Sequence, residues 1–136
     1  MQYSAAVANA QLDAIESTIG ASAVLKIYNN AGGVPANVAA ARLGSVLATL
    51  NLPADWMAAA SGGAKAKSGT WQDASADGTG TALYFTIFAS DGTTAHIQGT
   101  VGVSASDMIV DSVSFTAGQS FTINSFTITK STANYP

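Results

Sequence analysis

The sequence predicts a mainly β protein: an antiparallel, jelly-roll-like sandwich preceded by one N-terminal α-helix. Three observations carry that reading. Apolar residues recur at helical spacing through the first twenty positions. After Gly20 the repeat becomes two. Short clusters of Gly, Asn, Asp and Ser then punctuate the chain as turns. The expected division is a helix or arm over 1–20 and one β-sandwich over 21–136.

The helix is expected over 4–19. Ser4 suits the N-cap, and Ala8, Leu12, Ile15 and Ile19 share one face. Gly20 suits the left-handed position just past the end. Asp13 and Glu16 lie on the other face. So narrow a stripe fits a helix laid on a sheet or on a neighbouring subunit. A strand follows near 23–29, with Leu25 and Ile27 pointing inward, and Asn29 to Gly33 form a turn cluster. Residues 34–42 are ambiguous, and Pro35 argues against a central strand there. Val46, Ala48, Leu50 and Leu52 alternate until Pro53 ends the run. Residues 54–60 can form one helical turn, and 70–72 a short strand holding Trp71. Residues 73–81 read as a polar loop.

The second half reads as β throughout. Leu83, Phe85 and Ile87 are expected on one face, with Tyr84, Thr86 and Phe88 on the other. Ser90-Asp91-Gly92-Thr93 is a hairpin turn, and Ala95, Ile97, Gly99 and Val101 continue one face of the return strand. A strand near 107–115 precedes a turn at Ala117-Gly118-Gln119. In the last strand Phe121 and Ile123 are odd-numbered, whereas Phe126 and Ile128 are even-numbered. A β-bulge near Asn124-Ser125 puts all four on one side; the alternative is a strand buried on both faces.

At 136 residues the chain suits one domain, with roughly two thirds of its extended surface buried on folding. Charged residues are 10%, against about 25% in an average domain, so the surface loses little when pressed against another protein. Net charge is -3, and the five basic residues form no stripe, so nucleic acid is not an expected partner. Without cysteine there is neither disulfide nor thiol chemistry. No apolar run is long enough to span a membrane, and no secretory signal opens the sequence.

Catalytic groups are sparse. His96, the single histidine, is expected on an exposed strand face opposite Ala95 and Ile97. The serines include no Gly-x-Ser-x-Gly turn to supply a nucleophile. Asp13, Glu16, Asp55, Asp73, Asp77, Asp91, Asp107 and Asp111 show no spacing that nominates an acid–base pair. Asp73 and Asp77-Gly78 lack the alternate ligands and closing Glu of a calcium loop, and Gly78-x-Gly80 lacks the Lys and helix of a phosphate loop. No catalytic, cofactor or metal residue is expected, and the chain does not read as an enzyme.

Assembly is the better expectation. Only Lys26, Lys65, Lys67, Lys130 and Pro35 stand as guards of the β edges, so another subunit is expected to cover some edge or face. A symmetric homodimer is the default. The candidate interface residues are Leu12, Ile15, Trp56 and Tyr135, with the helix and segment 131–136 as arms. Trp71 reads as core; Trp56, following Pro53 in a loop, is the better candidate for exposure.

Three stretches carry a resemblance: ANAQLDAIESTIGASAVLKIYN, VLATLNLPADWMAAASGGAKAKSGTWQD and FASDGTTAHIQGTV. They resemble a family of small tailed-bacteriophage virion proteins that includes capsid cement (decoration) proteins. The resemblance runs over nearly the whole chain. It implies a jelly-roll-like dimer, made in the bacterial host cytoplasm, that binds major capsid proteins on the outside of the head. Other readings are a head-fibre, tail-fibre or tail-tip domain, or a carbohydrate-binding module using Trp56, Trp71, Tyr84 and Phe88 as a platform.

Overall fold

The computed structural model describes residues 1–130. Helix α1 spans Ala5–Ile19 and is capped as its sequence demands. The Ser4 hydroxyl accepts the Val7 N–H, and Gly20 adopts φ 94°, which a side chain would resist. Ten strands follow among the described residues: β1 Val24–Asn29, β2 Val46–Asn51, β3 Ala64–Ala66, β4 Trp71–Asp73, β5 Gly80–Phe88, β6 Ala95–Gly102, β7 Met108–Ile109, β8 Ser114–Phe115, β9 Phe121–Ile123 and β10 Thr127–Thr129. The protein is therefore mainly β with one N-terminal helix. Among the described residues, no helix is long and apolar enough to cross a membrane.

The main sheet runs β2-β1-β5-β6-β7, with β8 added to β5. All its pairs are antiparallel except β6–β7. Two small antiparallel ladders, β3–β10 and β4–β9, form the opposing layer. The principal core lies between the layers. Leu25, Ile27, Ala48, Leu50, Phe85 and Ile87 from the sheet meet Trp71, Phe121, Ile123 and Phe126 from the ladders. Trp56, Trp71, Phe126 and Phe85 make a continuous aromatic chain, with successive ring centroids 6.1, 5.7 and 5.6 Å apart. The tilted and edge-on angles are those that aromatic quadrupoles favour.

Three bulges change which face a side chain meets. Tyr28 pairs with Val46 while Ile27 pairs with Ala48, so Leu47 is the extra residue and Val46 turns away from the Ala48–Leu50 face. Likewise Leu83 sits beside Tyr84 and Phe88, not with Phe85 and Ile87. In β6, Phe88 pairs with Ala95 and Ile87 with Ile97, so His96 is the extra residue and Ala95 leaves the Ile97 face. The expected strand over 107–115 is two pieces with different partners. The expected bulge at Asn124-Ser125 is a break: β9 pairs β4, and β10 pairs β3. Phe121, Ile123, Phe126 and Ile128 nonetheless all pack on the one core. Residues 54–60 form no helix.

The second face of the main sheet is also covered. Val24, Tyr28, Tyr84 and Phe88 form a separate buried cluster, with Tyr28 and Tyr84 stacked at 4.7 Å. Over them lies the irregular stretch 30–45, tied down by Arg42. Its guanidinium donates to Thr86 Oγ1 and Gln98 Oε1, each at 2.8 Å, and to the carbonyls of Asn37, Val38 and Ala40. Tyr84 Oη donates to the Leu43 carbonyl and accepts the Leu43 N–H. Gln98 Nε2 donates to the Pro35 carbonyl. Arg42 is thus the hub of a strap. Its planar fork of donors suits several carbonyls at once, which a lysine ammonium cannot match. Arg42→Lys should lower stability by about 1–3 kcal/mol. Hydrogen exchange should quicken over 30–45 while the β1–β5 ladder stays protected.

Candidate interaction surface

Nearly every charged group is engaged by the fold. Lys65, only 2% exposed, donates from Nζ to Asp13 Oδ1 at 2.8 Å and to the Ala58 carbonyl, and pairs with Glu16 at 3.2 Å. Asp13 also accepts the Ala60 N–H, Glu16 the Met57 N–H, and Asn9 the Gly63 N–H. The polar face of α1 is therefore riveted to residues 57–65. Lys65, read from the sequence as an edge guard, is an interior clamp. The hydrogen bond from Lys65 and then that from Ala60 hold Asp13 below the usual carboxylate range. Burial alone would lower the Lys65 pKa; the Asp13 and Glu16 bonds outweigh it and leave the pKa raised.

The remaining carboxylates do similar work on the strands and turns. Asp73 accepts the Thr49 N–H on the outer edge of β2, and Asp77 accepts the Thr49 hydroxyl. Asp107 accepts the N–H and hydroxyl of Thr100. Asp111 accepts from Asn124 Nδ2. In the β5–β6 hairpin Asp91 accepts the Thr94 hydroxyl and the N–H groups of Thr94 and Thr93, which hold its pKa down at about 2. Among the described residues no three His, Asp or Glu side chains converge on a metal position. His96 is half-buried in its bulge, lining a groove with Ile97 and α1, not standing free on the opposite face.

Of the candidate interface residues, Leu12 and Trp56 lie in the interior, against expectation. Leu12 is 3% exposed and Trp56 0%, so neither can present a side chain to a partner. Trp56 is drawn inside because its indole N–H finds the Gly20 carbonyl at 2.9 Å, the polar contact a buried indole needs. The helix is likewise docked on its own chain rather than extended as an arm. Ile15 is half-buried and lines both parts of a surface groove. Tyr135 lies outside the described residues. Trp71, Tyr84 and Phe88 are also buried, so none of the four proposed platform aromatics reaches solvent.

A groove of mixed apolar and polar lining, Asp107 and Thr127 included, lies where α1, β6 and β10 meet. One part, of about 420 Å³, has Phe85 and Phe126 in its floor and Ile97, Gln98, Ile128 and Thr129 in its walls. An adjoining part, of about 340 Å³, shares Ile15 and Ile97 and adds Thr18 and His96. A larger open hollow, about 660 Å³, lies beside the Lys65 clamp, but its Asp13 and Glu16 are already engaged. The groove carried little sequence signal, because Ile97 and Ile128 read as ordinary inward strand residues.

Comparison with protein-family models, curated proteins and solved structures finds no match to this chain.

The clamp has a defined pH window. Asp13 has a lowered folded pKa, so its contribution is complete above the ordinary carboxylate value of 3.8 and fades as pH falls below it. Lys65 has a raised folded pKa, so its contribution is complete below 10.5 and fades as pH rises through the higher folded value. Lys65→Met should cost about 1–2 kcal/mol at neutral pH, less than a wholly buried pair, because Asp13 stays half in solvent. Urea titrations across pH should show the loss shrinking toward both extremes. Separately, Asp91→Asn should remove a stability loss that the native chain shows between pH 3.8 and about 2.

Proposed function

We propose that this chain is a structural virion protein, a capsid cement or decoration protein. It docks as a homodimer on the outside of a phage head and clamps neighbouring major capsid proteins against DNA pressure. It performs no catalysis. The observation that carries this reading is the use the chain makes of its charges. Seven of its eight carboxylates brace its own helix, turns and strand edges. Function is then left to shape and to a charge-poor surface, which is what close docking on another protein requires. The resemblance to phage virion proteins supplies the partner, a shell of repeated capsid subunits. Many copies, each adding a modest contact, stabilise such a shell collectively.

A fibre or tail-tip role is the second reading, favoured by the same resemblance alone. The carbohydrate-binding reading has no support from the aromatic residues, since Trp56, Trp71, Tyr84 and Phe88 are all interior.

The test is cosedimentation with purified phage heads lacking decoration. The chain should pellet with heads at a fixed ratio to the capsid protein and raise the temperature at which full heads release DNA. Binding to tails but not to heads, or to neither, would contradict the cement reading.

A further inference from the structure

An asparagine side chain closes on its own backbone when its Cγ reaches the N–H of the next residue, and that N–H must be unengaged and uncrowded. Six asparagines lie among the described residues, and the fold restrains five of them. Asn9 sits inside α1, and its Oδ1 accepts the Gly63 N–H. The residues that follow Asn29 and Asn51 donate their N–H groups to the carbonyls of Thr81 and Ala23, at 3.0 and 2.9 Å. The one that follows Asn30 donates to Asn29 Oδ1 at 3.2 Å. Asn37 precedes the β-branched Val38, and its Oδ1 is held by the N–H groups of Ala39 and Ala40. The two Asp-Gly pairs, which close in the same way, are pinned as well. Gly78 N–H donates to the Leu47 carbonyl and Gly92 N–H to that of Ala89.

Asn124-Ser125 escapes these restraints. It lies in the break between β9 and β10, outside any strand, and both residues are exposed. Among the described residues no hydrogen bond engages the Ser125 N–H. Serine is unbranched at Cβ and crowds its own nitrogen little. The side chain of Asn124 is held only by its Nδ2, which donates to Asp111 Oδ2 at 2.9 Å. Both partners are exposed, so water competes for that bond and it opens readily. It is nonetheless a brace, tying the loop after β7 to the β9–β10 break.

We propose that Asn124 is a site of spontaneous deamidation. The Ser125 nitrogen bonds to Asn124 Cγ and the Cγ–Nδ2 bond breaks. The amide leaves as ammonia, taking the proton that the Ser125 N–H gives up. Water then opens the succinimide ring at either carbonyl, leaving aspartate or isoaspartate. The reaction needs water alone, with no oxidant, metal or partner protein. Its product lacks the donor that Asp111 had received and sets a second carboxylate against it. Like charges at hydrogen-bond distance repel, so the brace becomes a repulsion and the chain gains one negative charge. The change is one-way, and it loosens the loop after β7 from the β9–β10 break.

Peptide mass spectrometry of the full chain, kept folded in mildly alkaline buffer, tests the site. The peptide holding Asn124 should gain about 1 Da, as isoaspartate and aspartate together, at least about tenfold faster than those holding Asn9, Asn37 or Asn51. In urea the gap should narrow, because the N–H groups that the fold pins are then released. Ser125→Val, which crowds the attacking nitrogen, should slow the gain at Asn124. A rate at Asn124 no faster than elsewhere, a gap unchanged in urea, or no slowing in Ser125→Val would overturn the proposal. Aspartate formed without isoaspartate would do the same, since direct hydrolysis bypasses the ring. The loosening has its own readout. Asn124→Asp should quicken amide exchange around Asp111 at neutral pH. Protection should return below the carboxylate range, where one of the facing carboxyls carries a proton and donates it to the other. Exchange that ignores the substitution would overturn the loosening and leave the site itself standing on the mass measurement.

Discussion

The fold depends on satisfying the backbone of very short strands. β7 and β8 have two residues each, and β3, β4, β9 and β10 have three. Ladders that short leave many N–H and C=O groups without a neighbouring strand, and each one buried unsatisfied is costly. Short acidic and amide side chains supply the missing partners. Asp73 and Asp91 each bond N–H groups two or three residues on, as do Asn29 and Asn37. Asp73, Asp77 and Asp107 reach across to neighbouring strands. Among the described residues, no buried side-chain N or O is without a partner.

Two cations organise the layers in complementary ways. Arg42 serves the outer face of the main sheet, where five acceptors from three segments meet one planar fork. Lys65 serves the opposing layer, where a single ammonium ties α1 to β3 through Asp13 and Glu16. Neither is available to a partner. With so few charges, committing these two cations inward leaves a surface of polar side chains and scattered carboxylates on a chain of net charge -3.

Much of the fold was legible in the sequence. The Ser4 and Gly20 caps, the period-two run of β1 and the Asp91-Gly92 hairpin are local signals, and local geometry decides them. What was not legible was long-range. A bulge at Leu47, Leu83 or His96 moves neighbours to the other face without altering composition, because it depends on the register of the partner strand. The break between β9 and β10 required knowing that β4 takes one half of the stretch and β3 the other. Lys65 reads as a surface lysine until Asp13 and Glu16, some fifty residues away, are brought beside it. Trp56 reads as the likelier of the two tryptophans to be exposed until the Gly20 carbonyl is seen to receive it. The groove, too, exists only in three dimensions, since β6 and β10 are distant in the chain.

The short strands hold because side chains take up backbone groups that no neighbouring strand reaches. Amide hydrogen exchange, followed residue by residue, tests this directly. Thr49 and Thr100 should be protected, held by Asp73 and Asp107. Gln98, Thr127 and Thr129, whose outward amides have no partner among the described residues, should exchange far faster. Equal exchange at all five amides would contradict the account.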